Sequence, residues 1–89
     1  SYQDYKMVDK FAYIHNVMVS CKTRQQVDIT CDWGRHTLRA WEDEISKKVH
    51  SIYPFLTWLQ IHTYIKERVD QFCDSLLELK RDLQKKINC

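Results

Sequence analysis

The sequence predicts an all-α chain, a small three-helix bundle stapled by disulfides and ending in a long C-terminal helix. Three observations carry that expectation. Glycine and proline occur once each in 89 residues, which leaves almost nothing to build tight hairpin turns and argues against sandwiches and barrels. Apolar residues recur at steps of three and four rather than two, the period of a helix with one buried face. Four cysteines in so short a chain are the usual compensation for a marginal core. Val, Ile, Leu and Phe number 23 of the 89, too many for a disordered chain. The length fits a single domain over 1–89.

The first helix is expected over about 4–20. Val8, Phe11, Ala12, His15, Met18 and Val19 share one face, with Asp4, Lys6, Asp9 and Lys10 off it. The polar stretch from Cys21 to Thr30 reads as a connector. Asp32 is a good N-cap for a second helix over about 33–50, with Leu38, Trp41, Ile45, Val49 and Ile52 as its stripe. Glu42, Asp43 and Glu44 precede Lys47 and Lys48, favourable pairs for the wet side.

Pro54 suits the first turn of a third helix, where its missing N–H does no harm. From there a heptad runs to the end. One position holds Phe55, His62, Val69, Leu76 and Leu83; the other holds Trp58, Ile65, Phe72, Leu79 and Lys86. The phase passes through Cys73 unbroken, which predicts one helix over 54–87. Ser75 with Glu78 offers a capping box and a competing break.

Cys21, Cys31, Cys73 and Cys89 form no C-x-x-C pair and no zinc spacing. An even count then implies a disulfide framework and a secreted or extracellular protein. Ser1 in place of Met fits a processed chain, and no apolar run is long enough to span a bilayer. Of three possible connectivities, helix rise favours a nested pair. Climbing from Cys31 to about 50 and descending from 54 to 73 covers equal lengths, which places Cys31 and Cys73 at one level. Cys89 then lies about 24 Å farther along the third helix, within reach of Cys21 through the connector. The other two connectivities remain open.

No catalytic residue, metal site or cofactor is expected. His15, His36, His50 and His62 match no metal spacing, the serines lack a nucleophile's context, and Glu42, Asp43 and Glu44 read as a solvated face. The net charge of +2 is no nucleic-acid signal. Eleven aromatic residues exceed what a core of this size covers. Trp58 and Tyr64, with Tyr2 and Tyr5, are therefore candidates for an exposed patch. Lys80, Arg81 and Lys85, with Lys86, would complete the last helix's dipole or meet an acidic surface. The partner-binding set is accordingly Trp58, Tyr64, Lys80, Arg81 and Lys85.

The run Cys31-Asp32-Trp33-Gly34-Arg35, with Tyr53-Pro54 and a cysteine nineteen residues past the proline, resembles the extracellular domain of receptor activity-modifying proteins. The resemblance covers about half the chain. It implies a three-helix, disulfide-linked accessory subunit of membrane receptors, with Cys31 and Cys73 bridged. Ser46 stands where that family commonly has a cysteine, Phe55 replaces its usual asparagine, and the stretch to Cys89 is extra.

The functional expectation is an extracellular helical binding protein of toxin, hormone-like or receptor-accessory kind. It would dock a rigid face on a membrane receptor or ion channel and modulate it. Two alternatives are a lipid-carrying or membrane-active helical protein and a homodimer formed through the overhang of the last helix.

Overall fold

The computed structural model describes residues 2–87, with side chains from residue 6 onward. Three helices run up, down and up: α1 (Tyr2–Val19), α2 (Arg24–Ile52) and α3 (Trp58–Lys86). They form a rod of 52 × 18 × 16 Å. The antiparallel α2–α3 hairpin is the main interface, and α1 packs chiefly on α2. The all-α bundle with a long last helix is as the sequence predicts; two of the helix starts are not.

The connector expected over 21–30 is mostly helix. Thr23 caps α2: its Oγ1 accepts from the Gln26 N–H at 3.1 Å, while Gln26 Oε1 accepts from the N–H groups of Lys22 and Thr23 at 2.7 and 3.3 Å. This capping box satisfies three donors that a bare helix start would leave unpaired. Asp32 is therefore no cap. It lies two turns inside α2, where it pairs with Arg35 at 3.5 Å. The same device opens α3. Thr57 Oγ1 accepts from Gln60 N–H at 3.1 Å and Gln60 Oε1 from Thr57 N–H at 2.9 Å. Pro54 stands ahead of that box, in the turn after α2, rather than in the first turn of α3. Ser75 starts no helix; its hydroxyl donates to the Gln71 carbonyl one turn back, and α3 continues.

The core lines are Met7, Ile14 and Met18 from α1, Val27, Cys31, Leu38 and Ile45 from α2, and Ile61, Ile65, Val69, Cys73 and Leu76 from α3. The α1 stripe is thus turned relative to the expected one, and Val8 and Val19 face water. Gly34 explains the phase. A Cβ there would stand 2.4 Å from Ile14 Cγ2, so the missing side chain is what lets α1 approach α2 at that level. In α3 the expected heptad holds from Ile65 to Leu83. It fails at the start, where Ile61 is buried and Phe55 is 79% exposed.

The later start of α3 also shifts its register against α2. Lys80 pairs with Asp28, Gln84 with Arg24, and Asp70 with Arg39. The residue level with Cys31 is therefore 76 to 78, and the Cys31 thiol donates to the Leu76 carbonyl at 3.7 Å. Cys73 is about one turn away, an axial offset of roughly 6 Å. The expected single level for Cys31 and Cys73 is thus corrected: both are buried free thiols, and Cys21 is also a free thiol. Cys89 lies outside the described residues.

Candidate functional site

The rod has two unlike ends. At one, Arg24 Nε donates to the carbonyls of Gln84 and Ile87 at 3.0 and 2.9 Å, and Gln84 Nε2 donates back to the Arg24 carbonyl at 3.1 Å. One guanidinium from the start of α2 thereby caps the end of α3, where helix carbonyls otherwise lack donors. Lys80 is bridged to Asp28 just above. The hydrogen bond to Asp28 raises the Lys80 pKa and holds it as a cation.

The other end is the α2–α3 turn, and it is apolar. Residues 49–65 contain no Asp, Glu, Lys or Arg. Ile52, Tyr53, Phe55, Trp58 and Leu59 are all exposed, with Phe55 at 79% and Leu59 at 74%. The helices end here because Tyr53 closes α2 by donating to the Val49 carbonyl at 2.8 Å. Pro54 has no N–H with which to continue. Tyr53 and Phe55 then meet edge to face at 6.0 Å, while Trp58 stacks on His62 at 6.1 Å and meets the edge of His50 at 6.2 Å. These contacts hold a convex apolar cap. It stands clear of α1, which is 18 residues long against 29 for α2.

Below the cap lies a polar layer between α2 and α3. Arg39 bridges Glu42 at 3.3 Å and also Asp70, which Lys66 contacts at 3.2 Å. These bonds from Arg39 and Lys66 hold the Asp70 carboxyl below its ordinary pKa. Glu42 is almost buried, 4.0 Å from His62 Nε2. The Ser46 hydroxyl and His62 Nδ1 are buried without a hydrogen-bond partner. Ser46 has no exposed surface, so no substrate reaches its oxygen.

A third feature is a shallow groove between α1 and α2, where Lys10 sits 5.3 Å over the Trp41 ring and Tyr13 meets Trp33 edge-on at 6.2 Å. Among the described residues no His, Cys, Asp and Glu cluster has the makings of a metal site. Nor, among those residues, is any helix long and apolar enough to cross a membrane.

The expected partner-binding residues do not form one surface. Trp58 belongs to the cap, and Tyr64 is half exposed on α3, just over a turn beyond it. Lys80, Arg81 and Lys85 lie toward the closed end, about 33 to 40 Å from Trp58 along α3, with Lys80 tied to Asp28. The side chains of Tyr2 and Tyr5 lie outside the described set. Sequence reasoning missed Ile52, Phe55 and Leu59 because Ile52 and Phe55 fit the helical stripes. The signal that would have found them is the 17-residue uncharged run itself. Comparisons with protein families, curated proteins and solved structures return no match.

Proposed function

We propose that this chain is an extracellular helical binding module that docks on a membrane receptor or ion channel and modulates it, in the manner of a toxin, hormone-like ligand or receptor-accessory domain. The observation that carries the reading is the cap. Five large apolar side chains stand exposed together on a short, aromatic-braced turn, the composition and rigidity favoured at binding hot spots. A surface held in shape before binding loses little ordering entropy on contact. Trp58 stays in the contact set, with Phe55 and Leu59 joining it. Lys80, Arg81 and Lys85 make a second, polar contact region at the far end.

The extracellular setting brings disulfides with it. Cys21 lies three residues before Arg24, which clasps the Ile87 carbonyl, and a Cys21–Cys89 bridge is one of the two proposed pairings. A Cys31–Cys73 bridge, which the resemblance to receptor activity-modifying proteins also implies, requires α3 to slide one turn along α2. Peptide mapping without reduction checks both pairings.

The functional test is binding of labelled protein to intact cells. Saturable binding that is lost after mild surface proteolysis, and lost in Phe55→Asp/Leu59→Asp, supports the reading. Binding unchanged in that double variant overturns the choice of surface.

A further inference from the structure

We propose that the cap inserts directly into the interfacial layer of a phospholipid bilayer and stands the rod on the membrane beside its target. The inference rests on the binding-module reading and names what the cap touches first. Three features select a bilayer over a shaped protein pocket.

The first is form. The cap is a convex apex, with Phe55 and Leu59 projecting from it at 79% and 74% exposure. Projecting side chains of this kind need no matching cavity in a fluid partner.

The second is depth. The uncharged run ends at Lys48 on α2 and at Lys66 on α3. Lys66 lies about 12 Å from the start of α3, so the nearer limit sets the depth: from Lys48 to the turn is about five residues of helix, or roughly 8 Å at 1.5 Å per residue. That matches the 5–10 Å to which apolar faces settle at the boundary of headgroups and acyl chains.

The third is the order of charges. Leaving the cap, the first charged residues met are Lys48 and Lys47 on α2, both exposed. The acid Glu44 comes after them, and Lys66 lies deeper still, level with Asp43 and tied to Asp70. An inserted cap therefore presents amines at the level of the lipid phosphates. Trp58 and Tyr53 supply the amphipathic rings that prefer this depth.

The decisive experiment is co-sedimentation with phosphatidylcholine vesicles, with and without phosphatidylserine. It uses the whole chain, the variant Phe55→Ser/Leu59→Ser, and the control Ile29→Ser. Ile29 is also largely exposed, at 61%, but lies near the closed end. The serines replace side chains that pack on little, so folding is retained and circular dichroism verifies it. Partitioning should fall at least about tenfold in the double variant, in proportion to the apolar area withdrawn from lipid, and stay unchanged in Ile29→Ser. Brominated acyl chains should quench the fluorescence, and Trp58→Phe should remove that quenching.

Equal binding of wild type and double variant, or binding that needs phosphatidylserine and vanishes with salt, overturns insertion. Absence of vesicle binding alongside protease-sensitive cell binding overturns insertion and leaves the receptor reading standing. Absence of both overturns both.

Discussion

The closed end and the cap are built from the same two helices, yet they solve opposite problems. Toward the closed end, α1 adds Ile14 and Met18 to the α2–α3 seam, the fully buried positions hold no aromatic ring, and Arg24 satisfies the last carbonyls of α3. At the cap only two helices remain. The core narrows to Ile45, Ile61 and Ile65, and aromatic side chains that a third helix would have covered face outward. A two-helix hairpin has too little interior to bury its apolar residues. The lesson is that stability and interaction are divided along the rod's length, and each part can be perturbed without the other.

The largest effect should come from truncation where three helices meet. Leu76 is fully buried beside Gly34, and Leu76→Ala should cost about 2–5 kcal/mol through lost burial and a residual cavity. Phe55→Ala removes a larger side chain from the cap and should stay within about 0.5 kcal/mol. Urea unfolding of the two variants tests the division directly. Similar costs would break it.

A methyl group added at Gly34 tests how tightly α1 is seated. Its Cβ would meet Ile14 Cγ2 at 2.4 Å, and that methyl belongs to a stiff β-branched side chain rather than to a flexible tip. Gly34→Ala should therefore cost about 1–3 kcal/mol despite its better helix propensity. In an Ile14→Val background, where only the side chain's far methyl is lost, the cost should persist. In Ile14→Ala it should shrink, and a double-mutant cycle measures the coupling.

The thiols sharpen the comparison chemically. Burial pushes both Cys31 and Cys73 above the ordinary thiol range, opposed in part by Lys80 and Arg35 at Cys31 and by Arg39 and Arg35 at Cys73. Because their folded pKa values are raised, the reduced chain keeps full stability below the unfolded thiol pKa. It loses stability as pH climbs through and beyond that value, where the unfolded chain ionises first. Denaturation midpoints of the reduced protein should fall through the alkaline range, and Cys31→Ala/Cys73→Ala should flatten the fall. An oxidised chain bridged between these two residues has no such thiols to titrate and should show no such fall.

The sequence made some of this legible. The length and continuity of α3 followed from a phase that never breaks between Ile65 and Leu83. The α2 start was hidden because Val27 and the exposed Ile29 are the only aliphatic residues in a polar stretch, although Thr23 and Gln26 carry the capping-box spacing. The α1 phase was hidden for another reason. Met7-Ile14-Met18 and Val8-Phe11-His15-Val19 both fit a helix, and only the approach allowed by Gly34 chooses between them. The cap was misread because periodicity alone treats every apolar residue as core. What decides Phe55 is whether a partner helix exists at that level, a property of helix lengths rather than of the residue. The four-residue error in the start of α3 then moved Cys73 out of line with Cys31.

The smallest expected effect lies at the junction of the two regions, where Asp70 accepts from Arg39 and Lys66. The hydrogen bond from Arg39 is the main cause of its lowered pKa, with Lys66 second. A carboxylate with a depressed folded pKa adds stability that is fully present above its unfolded value, about 3.9. That stability is lost as pH falls through the folded value. The Asp70 side chain is 39% exposed, so solvent screens the pair and the contribution is modest. Asp70→Asn should leave a shallower decline in denaturation midpoint between neutral pH and about pH 3, with the neutral-pH midpoint slightly reduced. It should leave vesicle partitioning untouched, because Asp70 lies more than a turn below the uncharged cap. A change in partitioning would show that the polar layer holds the cap in shape, and that the two regions are coupled through Arg39.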